Sequence, residues 1–223
     1  MSITPTWQMK ATIWELLAVS LRYPDDTLAQ ALASGDWTQA ALEIAGALNL
    51  SLPEEFTTYA QEAQELAKGE DGLDILRGEA TRMFISPYKP ACSGYETMWR
   101  AEDDGVKPLL FVNKHAMAVE RFYRSCGLKG AEGTNDPLDH IGSECEFMQF
   151  LACLAAGAQR PEGVPADEDF PGGSPAAAYY AFKSQHIDKW VPRFSAKMLK
   201  ESRTPFFKAT SILLTAWLEA DSE

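Results

Sequence analysis

The sequence is poor in the residues that build metal centres and disulfides: 223 residues contain only three histidines and four cysteines. Cys92, Cys126, Cys145 and Cys153 include no C-x-x-C pair. They read as reduced core thiols, not as a disulfide framework or a zinc site. A zinc or di-metal hydrolase needs three or more well-placed ligands, often several histidines, and the chain has only His115, His140 and His186. No glycine-rich phosphate loop occurs, because Gly172-Gly173 lacks the lysine and helix signals of a P-loop. No G-x-S-x-G element occurs either, and no cofactor is expected. No segment alternates apolar and polar residues long enough for a confident strand. No apolar run is long enough to span a bilayer. Residues 1–10 lack the basic-then-apolar order of a secretory signal, so a cytoplasmic location is expected. Basic charge is also short: 20 Lys and Arg stand against 32 Asp and Glu, a net charge of −12. That balance repels nucleic acid and anionic lipid and attracts cationic partners, including basic peptides.

Helical spacing is present almost throughout. Residues 7–23 place Ile13, Trp14, Leu17 and Leu21 on one side and stop at Pro24. Asp25 and Asp26 start a short helix through Leu28 and Leu32 that ends near Gly35. Asp36 can cap a third helix with Trp37, Leu42 and Leu48 turned inward, and Pro53-Glu54-Glu55 opens a fourth. After a turn at 68–72, residues 73–84 form a fifth with Leu73, Leu76, Ala80 and Met83 on the inner face. A helix over 110–126 carries Phe111, Met117, Phe122 and Tyr123 and stops at Gly127. Residues 129–134 form a polar linker, 161–175 a mobile loop, and further helices follow around 176–186, 190–201 and 205–220. The expectation is an all-α fold, one compact helical domain over residues 1–223.

Two stretches stand apart. Residues 85–108 combine Pro87, Pro90, Gly94, Gly105 and Pro108 with Tyr88, Tyr95, Met98 and Trp99. Loops of this length are usually functional or disordered, and the aromatics argue against disorder. The other stretch is Asn135-Asp136-Pro137-Leu138-Asp139-His140-Ile141-Gly142-Ser143-Glu144. Asp136 suits an N-cap, Pro137 the first helical position, and Asp139 the acidic place of a capping box. Leu138, Ile141, Cys145, Met148, Ala152 and Ala155 then mark one apolar face, running to about Gly157. His140 and Glu144 lie one turn apart on another face.

Four blocks carry a resemblance. Leu21-Arg22-Tyr23-Pro24 resembles a first-helix exit. Arg82-Met83-Phe84-Ile85-Ser86-Pro87, followed by Tyr95-Glu96-Thr97-Met98-Trp99, resembles an R-L-F-x-x-P and aromatic-x-S-x-W region. Asn135 to His140 resembles an E-P-x-D-H block, and His186-Ile187-Asp188-Lys189-Trp190 with Phe194 an H-L-x-x-W-x-x-x-F block. In this order, on an acidic helical chain, they resemble the TorD/DmsD family of maturation chaperones for molybdenum-containing reductases, its DmsD branch most. Asp136 replaces the usual Glu, Leu138 a frequent acid and Thr97 the usual Ser. Ala80 and Tyr95 stand where DmsD proteins can carry tryptophan, which bears on the choice of partner enzyme.

The resemblance implies a cytoplasmic chaperone that binds the twin-arginine signal peptide of a reductase subunit and holds it until the molybdenum cofactor is inserted, before export by the Tat pathway. It also implies contact with the mature part of the reductase and transient contact with the Tat export machinery. The residues matching the peptide-binding region are Met83, Phe84, Pro87, Tyr95, Trp99, Asp139 and His140. Chemistry is compatible: two guanidinium groups call for carboxylates, which Asp139, Glu144, Glu96 and residues 102–104 offer, and an apolar run calls for an aromatic and methionine surface. Trp99 is expected to anchor the peptide, whereas Trp190 and Phe194 read as core and His186 as an internal hydrogen-bonding residue. Two rival readings are a metal-dependent hydrolase using Asp139, His140 and Glu144, and a holdase acting only on the mature reductase. Monomer and domain-swapped dimer both stay open.

Overall fold

A computed structural model describes residues 6–85, 90–106, 113–128 and 138–221. The helices are α1 (Trp7–Leu21), α2 (Asp26–Ser34), α3 (Asp36–Leu48), α4 (Glu54–Lys68), α5 (Gly72–Ala80), α6 (Glu96–Asp103), α7 (Lys114–Ser125), α8 (Ile141–Ala155), α9 (Pro175–Phe182), α10 (Asp188–Glu201) and α11 (Pro205–Ala220). Two π-helical turns extend them: Thr81–Ile85 after α5 and Lys183–Ile187 between α9 and α10. Among the described residues the only extended pairing is an isolated antiparallel bridge between Tyr95 and His140. The all-α expectation holds, and no helix of the described residues is long and apolar enough to cross a membrane.

Local signals set several boundaries. The Asp25 carboxylate accepts the Leu28 amide at 2.9 Å, and Gly35, at φ 90°, ends α2. Ser174 caps α9 through the Ala177 amide with Pro175 at the first position. Gly127 follows α7 at φ +81°, where a Cβ would lie 2.5 Å from the Gly163 carbonyl oxygen.

The chain divides into two compact units. The first comprises Val19–Gly94 and Pro192–Glu223, the second Thr6–Ala18 and Tyr95–Val191. In the first, α4 packs against α11 and α2. Trp37 meets Phe206 edge-on at 5.4 Å, and its indole N–H donates to Ser20 Oγ at 2.8 Å. Phe84 lies against Phe194 and Phe207. In the second, α8 packs on α9, and Phe147 is the centre of a ring cluster with Tyr123 at 4.1 Å and Phe182 at 4.7 Å. The Trp14 indole donates to Tyr179 Oη at 2.8 Å.

Four expectations are corrected. Leu42 is 44% exposed, because α3 buries the stripe Trp37, Ala41, Ile44, Ala45 and Leu48 instead. Residues 85–108 are not loop throughout, since α6 forms within them. Residues 161–175 contain two 3₁₀ turns, Asp167–Asp169 and Pro171–Gly173, and bury Phe170 between them. The helix expected from Asp136 has His140 as its N-cap, one residue before Ile141; Asn135, Asp136, Pro137 and the 129–134 linker lie outside the described residues, as do Phe111 and Pro87.

Candidate functional site

The second unit brings the two singled-out stretches together. Tyr95 and His140 are both extended, at φ −115°, ψ 128° and φ −80°, ψ 139°, and pair antiparallel. The Glu96 amide donates to the Asp139 carbonyl at 2.9 Å, and the Thr97 amide to Asp139 Oδ2 at 2.9 Å. Thr97 is the second residue of α6, so Asp139 caps α6. It is not the capping-box acid of its own helix: α8 begins two residues after it, and its carboxylate is turned to a neighbour's free amide. The α8 cap is His140 itself, whose Nδ1 accepts the Gly142 amide at 3.1 Å. That bond places the neutral ring's proton on Nε2. The Tyr95 and His140 rings meet edge-on at 5.1 Å, and both side chains are half-buried.

Behind this corner lie Glu96, Asp139 and Glu144, each 0% exposed. Glu96 is the best satisfied: Arg100 Nη1 donates to its Oε1 at 2.9 Å, and His186 Nδ1 lies 2.8 Å from its Oε2. His186 is presented by the second π turn and stacks on Phe182 at 4.6 Å. Glu144 Oε2 accepts the Trp190 indole N–H at 3.1 Å. Its Oε1, like Asp139 Oδ1, meets no hydrogen-bond partner among the described residues. Burial, then the Glu96 and Asp139 charges, push the Glu144 carboxyl well above the usual carboxylate range, against the pull of the Trp190 N–H. Burial also raises Asp139, with Thr97 offsetting part of it.

The remaining expected residues separate. Trp99 is only 9% exposed and lies 6.4 Å from Trp190, so it is packed rather than presented. Met83 and Phe84 belong to the first unit, where the first π turn buries both. That turn is held by Glu79: Arg82 Nε and Nη2 donate to its carboxylate at 2.7 and 2.9 Å, the Arg203 amide donates at 2.5 Å, and Arg82 Nη2 also reaches the Glu201 carbonyl. Among the acids at 102–104, Asp104 accepts from Lys114 Nζ and lies 2.8 Å from His115 Nε2, which tethers the end of α6 to the start of α7. Trp190 and Phe194 are core and His186 bonds internally, as expected. Among the described residues no group of three His, Cys, Asp or Glu is placed to hold a metal ion. Asp139, His140 and Glu144 turn to Thr97, Gly142 and Trp190 respectively. Arg100 was not anticipated, although its i,i+4 spacing from Glu96 is a readable signal. The pairing of His186 with Glu96, 90 residues apart, has no local signal.

Comparison with known proteins agrees with this picture. Residues 49–196 match the family model described as nitrate reductase delta subunit. Chaperone protein TorD of Shewanella sp. (strain MR-4) is 23% identical over 218 residues, spanning 96% of this chain and 92% of that protein. The TorD chaperone of Shewanella sp. (strain ANA-3) is 24% identical over 76% of this chain and 73% of its own length. Among solved structures, a protein assigned to redox enzyme maturation from Archaeoglobus fulgidus shares the fold, with a TM-score of 0.54 at 16% identity over 94% of this chain and 93% of that one. These similarities reach the family as a whole rather than its DmsD branch.

Proposed function

The chain belongs to the nitrate reductase delta subunit family, and from that premise we propose that it is a maturation chaperone that binds the twin-arginine signal peptide of a molybdenum-cofactor reductase subunit and holds it for cofactor insertion before Tat export. The observation that carries this reading is the Tyr95–His140 bridge. It joins the aromatic block and the acid–histidine block, matched independently in sequence, into one half-exposed corner backed by buried carboxylates. The similarity to TorD chaperones over nearly the whole chain supports the same reading.

Tyr95 and His140 offer the accessible rings of this surface. Asp139 is the proposed partner of a signal arginine through Oδ1, the oxygen that Thr97 leaves over; a carboxylate–guanidinium pair shielded from water is strong and directional. Trp99 and Glu144 support the corner from behind. Met83, Phe84 and Pro87 enter the proposal on the strength of their sequence block. The site is proposed to act in the cytoplasm, where an unexported precursor is met. The hydrolase alternative gains nothing from the geometry, since its three residues serve different partners.

The test is calorimetric titration with a twin-arginine peptide and its twin-lysine counterpart. The reading requires binding with a preference for arginine, and capture of a molybdenum-cofactor reductase precursor that a signal-deleted subunit does not match. Equal capture of the signal-deleted subunit would favour the holdase that acts on the mature enzyme.

A further inference from the structure

We propose that Glu144 is a proton-bearing positioning residue: its neutral carboxyl group donates to the Glu96 carboxylate at the α6–α8 junction, and loss of that proton loosens the Tyr95–His140 corner. The argument starts from how the bonds are shared out. Glu96 has a partner on each oxygen, Arg100 on Oε1 and His186 on Oε2, and a carboxylate oxygen can accept one more bond. Asp139 spends Oδ2 on the amide of Thr97. Glu144 accepts the Trp190 indole on Oε2 and has no donor for Oε1 among the described residues. An ionised Glu144 would therefore hold an unpaired oxygen, wholly buried, beside two other acids. A protonated Glu144 turns that oxygen into a donor, and Glu96 lies within its hydrogen-bonding reach. One proton thus removes a charge and supplies the missing bond.

The surrounding groups point the same way. Glu144 is faced by Glu96 and, through it, Arg100 from α6; by Tyr123 from α7; by Asp139 from the turn before α8; by Cys145 on α8 itself; by His186 through Glu96; and by the Trp190 indole from α10. Arg100 and His186 both serve Glu96. Burial holds the Tyr123 phenol and the Cys145 thiol up as well, so both stay protonated across neutral pH.

The sign follows from linkage. The folded chain keeps a proton that the unfolded chain releases near the ordinary carboxyl value of 4.5. Stability from this group is therefore full below that value and falls as pH rises toward the folded value, by about tenfold in the folding constant per pH unit.

The experiment is infrared spectroscopy of the whole chain in heavy water, paired with denaturant unfolding across pH. Wild type should show the carbonyl stretch of an un-ionised carboxyl group at neutral pH. Glu144→Gln should lose that absorption and flatten the decline of stability with pH, because its amide can donate to Glu96 and its carbonyl can accept from Trp190. No such absorption in wild type overturns the proposal, and that result does not depend on the variant folding. Full-strength absorption or an unchanged slope in Glu144→Gln overturns it too. The consequence for binding rests on the proposed peptide function: a twin-arginine peptide should bind wild type progressively less tightly as pH rises through the Glu144 titration, and Glu144→Gln with little change. If the absorption behaves as stated and no peptide binds at any pH, the peptide reading fails while the proton assignment stands. If peptide binds and the absorption is absent, the reverse holds.

Discussion

The Thr97 amide donates to Asp139 Oδ2 at 2.9 Å across 42 residues of sequence, so the helix that carries Trp99 is capped by the acid–histidine block. This relationship separates the two roles open to Asp139. As a cap it needs only an acceptor; as a partner for arginine it needs charge. Asp139→Ala should lower stability by about 0.5–2 kcal/mol, the usual cost of a lost cap, measured by denaturant unfolding. Asp139→Asn should retain most of that stability, because its amide oxygen still accepts the Thr97 N–H. The same variant should lose most of the preference for a twin-arginine over a twin-lysine peptide, at about 2–5 kcal/mol of binding. An unchanged preference in Asp139→Asn would reduce Asp139 to the cap of α6.

Trp99 tests whether the aromatic block presents side chains or packs them. Buried beside Trp190, it should behave as a core residue. Trp99→Ala is expected to cost about 3–5 kcal/mol of stability, as large-to-small changes of buried aromatics do. Trp99→Phe should recover a large part of that. Normal stability of Trp99→Ala with weakened peptide binding would restore Trp99 as a surface anchor.

The residues that were legible in sequence are those whose signals are local. Asp25 and Gly35 bracket α2 because a cap and a left-handed glycine act within one turn. Glu96 and Arg100, one turn apart, carry a local signal of the same kind, although Arg100 was not singled out. Asp139 misled because its carboxylate serves another helix, and a tertiary cap has no spacing rule. The inner face read for 73–84 holds through Leu76, Ala80 and Met83, but the π turn that follows Ala80 breaks the 3.6-residue period and buries Phe84 beside Met83. His186 met Glu96 for the same reason: a second π turn sets its direction, and nothing in the preceding helix announces it. The four family blocks were therefore the better guide to the corner, and physical spacing the better guide to the bundle.

Gly127 supplies a test of the second unit that is independent of peptide. Its φ of +81° and the 2.5 Å that would separate an added Cβ from the Gly163 carbonyl oxygen leave no room for a side chain. Gly127→Ala should cost more than the roughly 1–2 kcal/mol of left-handed backbone alone, because two backbone segments must also move apart. A thermal shift no larger than that of Gly46→Ala, where a Cβ meets nothing within 4 Å, would contradict the packing.

The first unit should show an acid-side dependence opposite in sign to that of Glu144. Burial alone would raise the Glu79 carboxyl, but the Arg82 hydrogen bonds and the Arg203 amide outweigh it and hold the group below its ordinary 4.5. The folded chain therefore releases this proton more readily than the unfolded chain. The stability it contributes is full above 4.5 and is lost as pH falls through the lowered folded value. Glu79→Gln removes the charge that Arg82 and the Arg203 amide share, and should cost about 1.5–3 kcal/mol at neutral pH, the range for hydrogen bonds to charged groups. The cost should shrink toward zero in acid, where wild type has lost the same charge. Arg82→Lys should lose much of the effect while keeping the positive charge, because an ammonium cannot make the two-pronged contact with Glu79 and reach the Glu201 carbonyl as the guanidinium does. Unfolding of the three proteins at matched pH values decides the matter. A pH-independent penalty for Glu79→Gln would mean that shape, and not charge, holds the turn carrying Met83 and Phe84.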